Sequence, residues 1–434
     1  MARDPIGEII AYNRRFVGRY DHVLRHKLAR LAADPFSFFR GTFHLFARDW
    51  AAATVDPPDI ALPADGELRI VADVHGENFG TFKAADGTVR YDINDFDETT
   101  WGRFDFDCCR AATSLLLAAG QIGVEKAKAT SAVRVNATTY AREIIQCAEQ
   151  ERITFEACSN RELPETPVAR RLLQEAAGVR RADYIATLTS LIDGKRILTR
   201  GDKFFELRQA DRERAKRLLS DYVRRLGDKA RKEPGFYDVE DICGRTAGCG
   251  SLGCYRFAVA IAGHGDDEGK NLLLEFKEAL PSGYDFCRAA PMPPQAECRA
   301  AEVADVARQM QTVSNRYLGY AVDGDASFQV REIGPRERRL EWKAVKKGDE
   351  FDGVAALHAK LVAKAHAKAA LENPAARDRF LQIPSLLHDR LNRFVGGIAD
   401  FAAAYAGLVT ADHLAFVEHQ AEVAKALDLG PVSK

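Results

Sequence analysis

Between Val71 and Asp97 the chain reads VADVHGENFGTFKAADGTVRYDINDFD, and few folds can use such a stretch. Asp73 is followed at short range by His75 and Asn78. A strand-like run then leads through the Asp86-Gly87 turn to Asp95-Phe96-Asp97. The alternation Val89-Tyr91-Ile93 beside that turn predicts a β-hairpin. An acid, a nearby amide and a second acid beyond a hairpin form the residue set that phosphoryl transfer needs. One carboxylate orients or deprotonates an acceptor hydroxyl, while the amide and the later carboxylate hold a Mg²⁺ against the nucleotide phosphates. An amide suits the second task because it offers a neutral oxygen to a hard cation. The plain alternative is a hairpin whose acids are merely solvated at its turn.

Composition narrows the setting. The 434 residues suffice for two or three domains. A net charge of −1 gives no global field for nucleic acid or an anionic membrane. Weakly polar runs such as Ala111–Val124 are too short to span a bilayer, and the opening MARDPIGEII lacks the features of an export signal. A cytoplasmic protein without nucleic-acid or membrane partners is expected. Nine cysteines, an odd number, suggest reduced thiols. Cys243, Cys249 and Cys254 lie close together but lack a Cys-x-x-Cys pair, so they read as structural thiols rather than zinc ligands.

Apolar spacing predicts helices over residues 7–33, about Thr42–Ala53, Asp107–Ala119 and Val124–Arg152, with breaks at Asp34-Pro35 and Asp56-Pro57-Pro58. Residues 160–240 read as mostly helical, with turns at Asp193-Gly194 and Gly201-Asp202. The basic run Glu206–Lys232, interleaved with acids, reads as a solvated amphipathic helix. Glycine turns and alternating apolar runs then mark a β-rich segment, interrupted by a helix near Ala296–Thr312. Ala-rich helices return after 350. The expected organisation is a large helical part with the hairpin (1–240), a small β-rich nucleotide-binding part (241–335), and C-terminal helices completing the large one (336–434).

Within the β-rich segment, Gly248-Cys249-Gly250-Ser251-Leu252-Gly253 fits G-x-G-x-x-G. A dinucleotide site would continue into a helix. Here a strand follows, Cys254–Ile261, which is the arrangement of a glycine loop folded over phosphates in kinases. Gly248, Gly250, Ser251 and Gly253 are therefore candidates to cradle a nucleotide. The next strand, Leu272–Phe276, delivers Lys277 where such a fold places its phosphate-binding ammonium. Glu302 or Asp305 on the following helix is the expected partner of Lys277.

These residues resemble the bacterial domain of unknown function 2252 family. The resemblance is carried by Pro35-Phe36-Ser37-Phe38-Phe39-Arg40-Gly41, by Ala72–Gly80 and by Ile93–Thr99. Supporting pieces are the glycine loop, Phe276-Lys277-Glu278-Ala279, Met310-Gln311, Leu318-Gly319, Leu361–Lys368 and Tyr405-Ala406. It implies a two-lobed α+β fold, a circularly permuted relative of aminoglycoside and choline kinases. Such a fold has a small antiparallel β lobe and a large, mainly helical lobe. It also implies Asp73 as catalytic acid, Asn78 and Asp95 as metal ligands with Asp97 as helper, and Asp107 as a buried acid bracing the catalytic loop. Ala72 stands where a glycine is usual, and Gly76 replaces a bulkier residue. The longer interval from Asn78 to Asp95 leaves Asp92 a second candidate for the metal. Arg40 either contacts the transferred phosphate or anchors Asp73 or Asp95; His75 either supports the catalytic loop or is structural.

The expected activity is ATP- and Mg²⁺-dependent phosphotransfer to the hydroxyl of a small-molecule or protein acceptor. Three rivals remain. A kinase-like regulator would bind nucleotide without turnover, and an AMP transferase would use the same scaffold. A two-metal phosphoesterase is suggested by Asp73-Val74-His75-Gly76, but its later Gly-Asn-His motif has no counterpart, since no Asn-His pair occurs in the chain.

Overall fold

The computed structural model describes residues 3–59, 66–156, 158–227, 234–263, 269–288 and 296–430. The predicted hairpin forms from β2 (Phe79–Lys83) and β3 (Val89–Ile93), with Gly87 at φ +81° in its turn. It is preceded by β1 (Leu68–Ile70) and followed by β4 (Thr100–Gly102), which pair with each other antiparallel. Phe79 stacks on His358 at 3.7 Å, and the Tyr91 hydroxyl lies 2.8 Å from the same imidazole, fixing the hairpin to helix Asp349–Leu371.

The main core is helical. Helices Phe104–Ile122, Lys126–Gln150, Asp349–Leu371 and Leu391–Ala426 pack on one another through one apolar cluster. The N-terminal helix expected over 7–33 is two, Pro5–Asn13 and Asp21–Ala33, separated by a short 3₁₀ turn and Gly18 at φ +80°. A left-handed glycine ends a helix because it turns the chain out of the helical path. The stretch Pro374–Ala426 is long and apolar enough to cross a membrane by length and composition. Its Phe394, Ile398, Phe401, Tyr405 and Phe416 are nevertheless buried in the helical core, as in a core helix of a globular protein.

Residues 181–205 depart from the helical expectation. Helix Arg181–Leu188 gives way to a hairpin of β5 (Thr189–Ile192) and β6 (Lys195–Leu198), and β7 (Phe204–Phe205) follows. Asp193 and Gly194 both take positive φ, the geometry of a tight hairpin turn that the Asp-Gly pair favours. The basic run forms helix Gln209–Arg225, and its residues 228–232 lie outside the described residues. Arg214 and Arg217 pair with Asp323, and Arg225 with Asp221 and Glu297, so these cations are used within the fold.

Then come β8 (Val239–Arg245), β9 (Arg256–Ile261), β10 (Leu272–Glu278), helix Arg299–Met310, β11 (Gly319–Asp323) and β12 (Ala326–Glu332). The six-stranded sheet has the order β11-β12-β10-β9-β8-β7, all antiparallel, and β13 (Arg338–Arg339) pairs with β2. One face buries Phe257, Val259, Leu274, Phe276, Phe328 and Val330 under Leu218, Leu219 and Tyr222 of helix Gln209–Arg225. On the other face, Cys243, Ala258, Ala260 and Leu273 are covered by Ile185, Leu188 and Leu198. The sheet thus takes its covering elements, and its edge strand β7, from before residue 241. A sheet apolar on both faces needs cover on both, and the preceding chain supplies it.

Candidate active site

Asp73 sits on the loop that leaves β1, and that loop is held from behind. Asp107, buried in the first turn of helix Phe104–Ile122, accepts the backbone N–H groups of Val71 and Ala72, each at 2.8 Å. His366 Nε2 lies 3.0 Å from the same carboxylate. Each charge-assisted bond of this kind contributes about 1.5–3 kcal/mol. Ala72 adopts φ +69°, the left-handed conformation in which a glycine is usual. Gly76 also has a steric reason: a Cβ there would stand 2.1 Å from the Trp342 ring. The bracing role expected of Asp107 is the geometry observed.

Sequence reasoning missed the group that orients Asp73. Arg110 is fully buried and donates to Asp73 Oδ1 from Nε (3.0 Å) and Nη2 (2.6 Å), and Nη2 also donates to the Phe39 carbonyl. Its guanidinium lies over the Phe39 ring, 3.5 Å from the centroid. The aromatic run Phe36–Phe39 therefore builds a cation–π floor for the cation that holds Asp73. Burial pushes the Asp73 carboxyl up, and Arg110 opposes that shift. The helix register of Arg110, one turn after Asp107 on the same helix, was the available signal.

Arg40 takes neither anchoring role. It pairs with Glu77 at 2.6 Å and lies 3.4 Å from His75 Nε2, while its side chain lines the cavity. His75 is buried, and burial followed by the charges of Arg40 and Arg110 holds its pKa well below the ordinary value. Its Nδ1 is buried without a hydrogen-bond partner, and the ring lines the same cavity as Asp73 and Asn78.

The metal candidates converge. Asn78 Oδ1 is buried without a hydrogen-bond partner and faces the cavity that Asp73 and Asp95 also line. Such an orphaned oxygen is costly unless a ligand satisfies it. Asp95 is 46% exposed and Asp97 30%, and Lys277 bridges them: its ammonium is 3.6 Å from Asp95 and in direct contact with Asp97. Burial works to raise Asp95, but Lys277, then Arg331 and Arg256, outweigh it and hold the carboxyl below its usual range. Burial and the Asp95 charge raise Asp97. A neutral amide oxygen and one or two carboxylates fit Mg²⁺, which keeps waters and completes its shell with substrate phosphates. Among the described residues no group of three or more His, Cys, Asp or Glu side chains is arranged to hold a metal. Asp92 is no rival: its carboxylate accepts the N–H groups of Ile93 (2.8 Å) and Thr312 (3.0 Å) and does not line the cavity.

The glycine loop closes the opposite wall. Gly248, Cys249, Gly250 and Ser251 line the cavity. Gly248 has φ +79°, and a Cβ on Gly250 would meet the Arg40 carbonyl at 3.0 Å. The Cys249 thiol contacts the Ser37 carbonyl at 3.5 Å, docking the loop on helix Pro35–Gly41. Cys108, Cys109, Cys147, Cys158, Cys243, Cys249, Cys254 and Cys298 are free thiols.

Two predicted site residues lie elsewhere. Gly253 turns away from the cavity and packs on Phe16, where a Cβ would come within 2.6 Å of the ring. Glu302 does not pair with Lys277. It is bound by Arg69 (2.6 Å) and Arg299 (2.8 Å), two cations nearer its own helix face, and Asp305 pairs with Arg308. The acids that reach Lys277 come from the hairpin instead.

Beyond Arg110, the cavity contains groups no motif announced. Glu98 accepts the Gly283 N–H at 2.6 Å, and burial, aided by the nearby Asp73 charge, pushes it up to about 7. From the sheet, Arg245, Arg256 and Arg331 surround the buried Glu275. Arg256 is the one charge of β9, whereas β8 also carries Glu240 and Asp241 and β12 carries Glu332, so which acid each arginine meets is set only when the strands pair.

The fold and this cavity define a mixed α/β protein in which an acidic hairpin faces a glycine-looped antiparallel sheet. A family model described as "Uncharacterized protein conserved in bacteria (DUF2252)" matches residues 19–419, and the chain belongs to that family. No curated protein and no solved structure matches the chain.

Proposed function

We propose that this chain is an ATP- and Mg²⁺-dependent phosphotransferase acting on a hydroxyl acceptor, on a two-lobed, circularly permuted kinase-like fold. The observation that carries this reading is the convergence of Asp73, Asn78, Asp95 and the Gly248–Ser251 loop on one cavity. The order of elements in the sheet also supports it: glycine loop, β9, then Lys277 on β10, a helix, and two more strands. A permuted order accounts for the hairpin acids preceding the glycine loop in the chain.

In this reading Asp73, held by Arg110, accepts the proton of the acceptor hydroxyl and aims its oxygen. Asn78 and Asp95, with Asp97, are the residues that would hold Mg²⁺, which supplies charge neutralisation for the phosphates. The loop amides of Gly248–Ser251 and the Arg40 guanidinium donate to phosphate oxygens, and the docked loop excludes water. Lys277 fixes the two carboxylates in the absence of nucleotide.

A thermal-shift series with ATP, GTP and ADP, each with and without Mg²⁺, tests the proposal. Metal-dependent stabilisation by a nucleotide is expected. Indifference to every nucleotide would sink it.

A further inference from the structure

Five arginines line the cavity, and four of them are held by acids. Arg40 pairs with Glu77 at 2.6 Å, and Arg245, Arg256 and Arg331 surround Glu275. The fifth, Arg339, is exposed where it lines the cavity, and among the described residues its guanidinium has neither an ion pair nor a hydrogen bond. The charges that face it are Arg40, Glu77, Asp95 and Arg256, and its own charge is felt at the His75 ring. Both acids are already engaged, Glu77 by Arg40 and Asp95 by Lys277. Burial and then Arg40 push the Arg339 guanidinium down, against the pull of Glu77 and Asp95. A guanidinium with all its donors free beside a second guanidinium is a setting that a bound oxyanion relieves, because it can accept from the planar fork.

The backbone decides which wall of the cavity Arg339 belongs to. β13 pairs with β2, with Arg339 opposite Gly80, two residues beyond Asn78. The Arg338 N–H donates to Thr81 Oγ1 at 3.2 Å and the Leu340 N–H to the Phe79 carbonyl at 2.9 Å, so Arg339 is tied down on both sides. A Cβ on Gly80 would stand 2.3 Å from the Arg338 carbonyl and 2.8 Å from the Arg339 Cα, so a glycine is needed for so close an approach. Arg338 pairs with Glu175 at 3.1 Å and does not line the cavity. Arg339 is therefore carried by the hairpin that also bears Asn78 and Asp95, and not by the sheet that bears the glycine loop.

We propose that Arg339 is a catalytic residue that binds the terminal phosphoryl group of ATP during its transfer. This role rests on the phosphotransferase reading of the cavity and adds a residue to it. The acceptor oxygen forms a bond to the γ-phosphorus. The bond from that phosphorus to the oxygen bridging to the β-phosphate breaks, and its electron pair leaves with ADP. The hydroxyl proton passes to Asp73. Charge in this transition state is spread over the equatorial oxygens of the phosphoryl group. A guanidinium with free donors, fixed beside the side chains that would hold the metal, stabilises that charge more than it stabilises bound ATP.

The test uses the full chain with Mg²⁺ and ATP, water serving as acceptor. Arg339→Gln should lower kcat for ATP consumption by about 10²-fold or more, with the KM for ATP little changed and the far-ultraviolet spectrum intact. Arg338→Gln, at the neighbour that lies outside the cavity, should keep the wild-type kcat. A binding arm decides the matter where turnover is too slow to follow. Fluoroaluminate, a planar mimic of the phosphoryl group in transfer, should tighten Mg·ADP binding to the wild-type chain by about tenfold or more in calorimetry. Arg339→Gln should bind Mg·ADP as the wild type does and lose that tightening. A folded Arg339→Gln variant with wild-type kcat, one with only a raised KM, or one that fluoroaluminate still tightens would overturn the inference and leave the phosphotransferase reading standing. So would a wild-type chain that binds Mg·ADP without responding to fluoroaluminate. If the wild-type chain binds no nucleotide at all, the inference and the phosphotransferase reading fall together.

Discussion

The Lys277 ammonium lies 3.6 Å from the Asp95 carboxylate, and this pair joins β10 of the six-stranded sheet to the acidic hairpin. Lys277 is buried, so the contact is not a solvated surface pair. It ties the expected phosphate-binding cation directly to the expected metal-binding acid, and of the two only Asp95 lines the cavity.

Removing Asp95 leaves Lys277 with Asp97, so Asp95→Ala should fold. Its nucleotide turnover should fall by about 10²-fold or more, the scale on which one electrostatic group of a transfer site acts. Asp73→Asn should lose a similar factor, because the amide cannot accept the hydroxyl proton. Steady-state nucleotide consumption measures both, and wild-type turnover in the two variants would refute the site.

Asp107→Asn is expected to destabilise the chain by about 2–4 kcal/mol, since one amide oxygen replaces a carboxylate that accepts two buried N–H groups and faces His366. Urea unfolding reads this directly. A loss below about 0.5 kcal/mol would show that the loop does not depend on Asp107.

Gly76→Ala should cost about 1–3 kcal/mol, because the added methyl meets the buried Trp342 ring. Combining it with Trp342→Leu, which vacates that space, should recover part of the loss. Additive losses in the double variant would contradict the steric cause.

Glu98 gives a pH-dependent outcome. Its pKa rises from 4.5 to about 7 on folding, so between these values the native state holds the extra proton. Its contribution to stability is complete below about pH 4.5 and is lost as the pH rises through 7. Glu98→Gln should therefore gain Tm relative to wild type as the pH is raised from 4.5 to 8. Glu337 shifts in the same sense in both proteins and cancels in the comparison. A pH-independent Tm difference would show that Glu98 is not the titrating group.

The local pieces of this site were legible because each is built from neighbours in the chain. Turn chemistry and alternation announced β2 and β3, and the strand after the glycines announced a loop between strands. Residues 181–205 read as helical, whereas the chain forms a hairpin and an edge strand there, since their strand character comes from covering the sheet rather than from their own pattern. Helix position offers Glu302 or Asp305 to Lys277, but Arg69 of β1 and Arg299 of the same helix lie nearer Glu302, and Arg308 pairs with Asp305.

The sequence by itself determined the acids, the amide, the glycine loop and the lysine, since spacing along one strand or turn sets which side chains share a face. Only the tertiary structure decided who meets whom: Arg110 with Asp73, Lys277 with Asp95 and Asp97, three arginines around Glu275. Charges attract across space without regard to their order in the chain. Their pairing, and the electrostatic character of the cavity, come into being only when strands and helices from distant segments pack together.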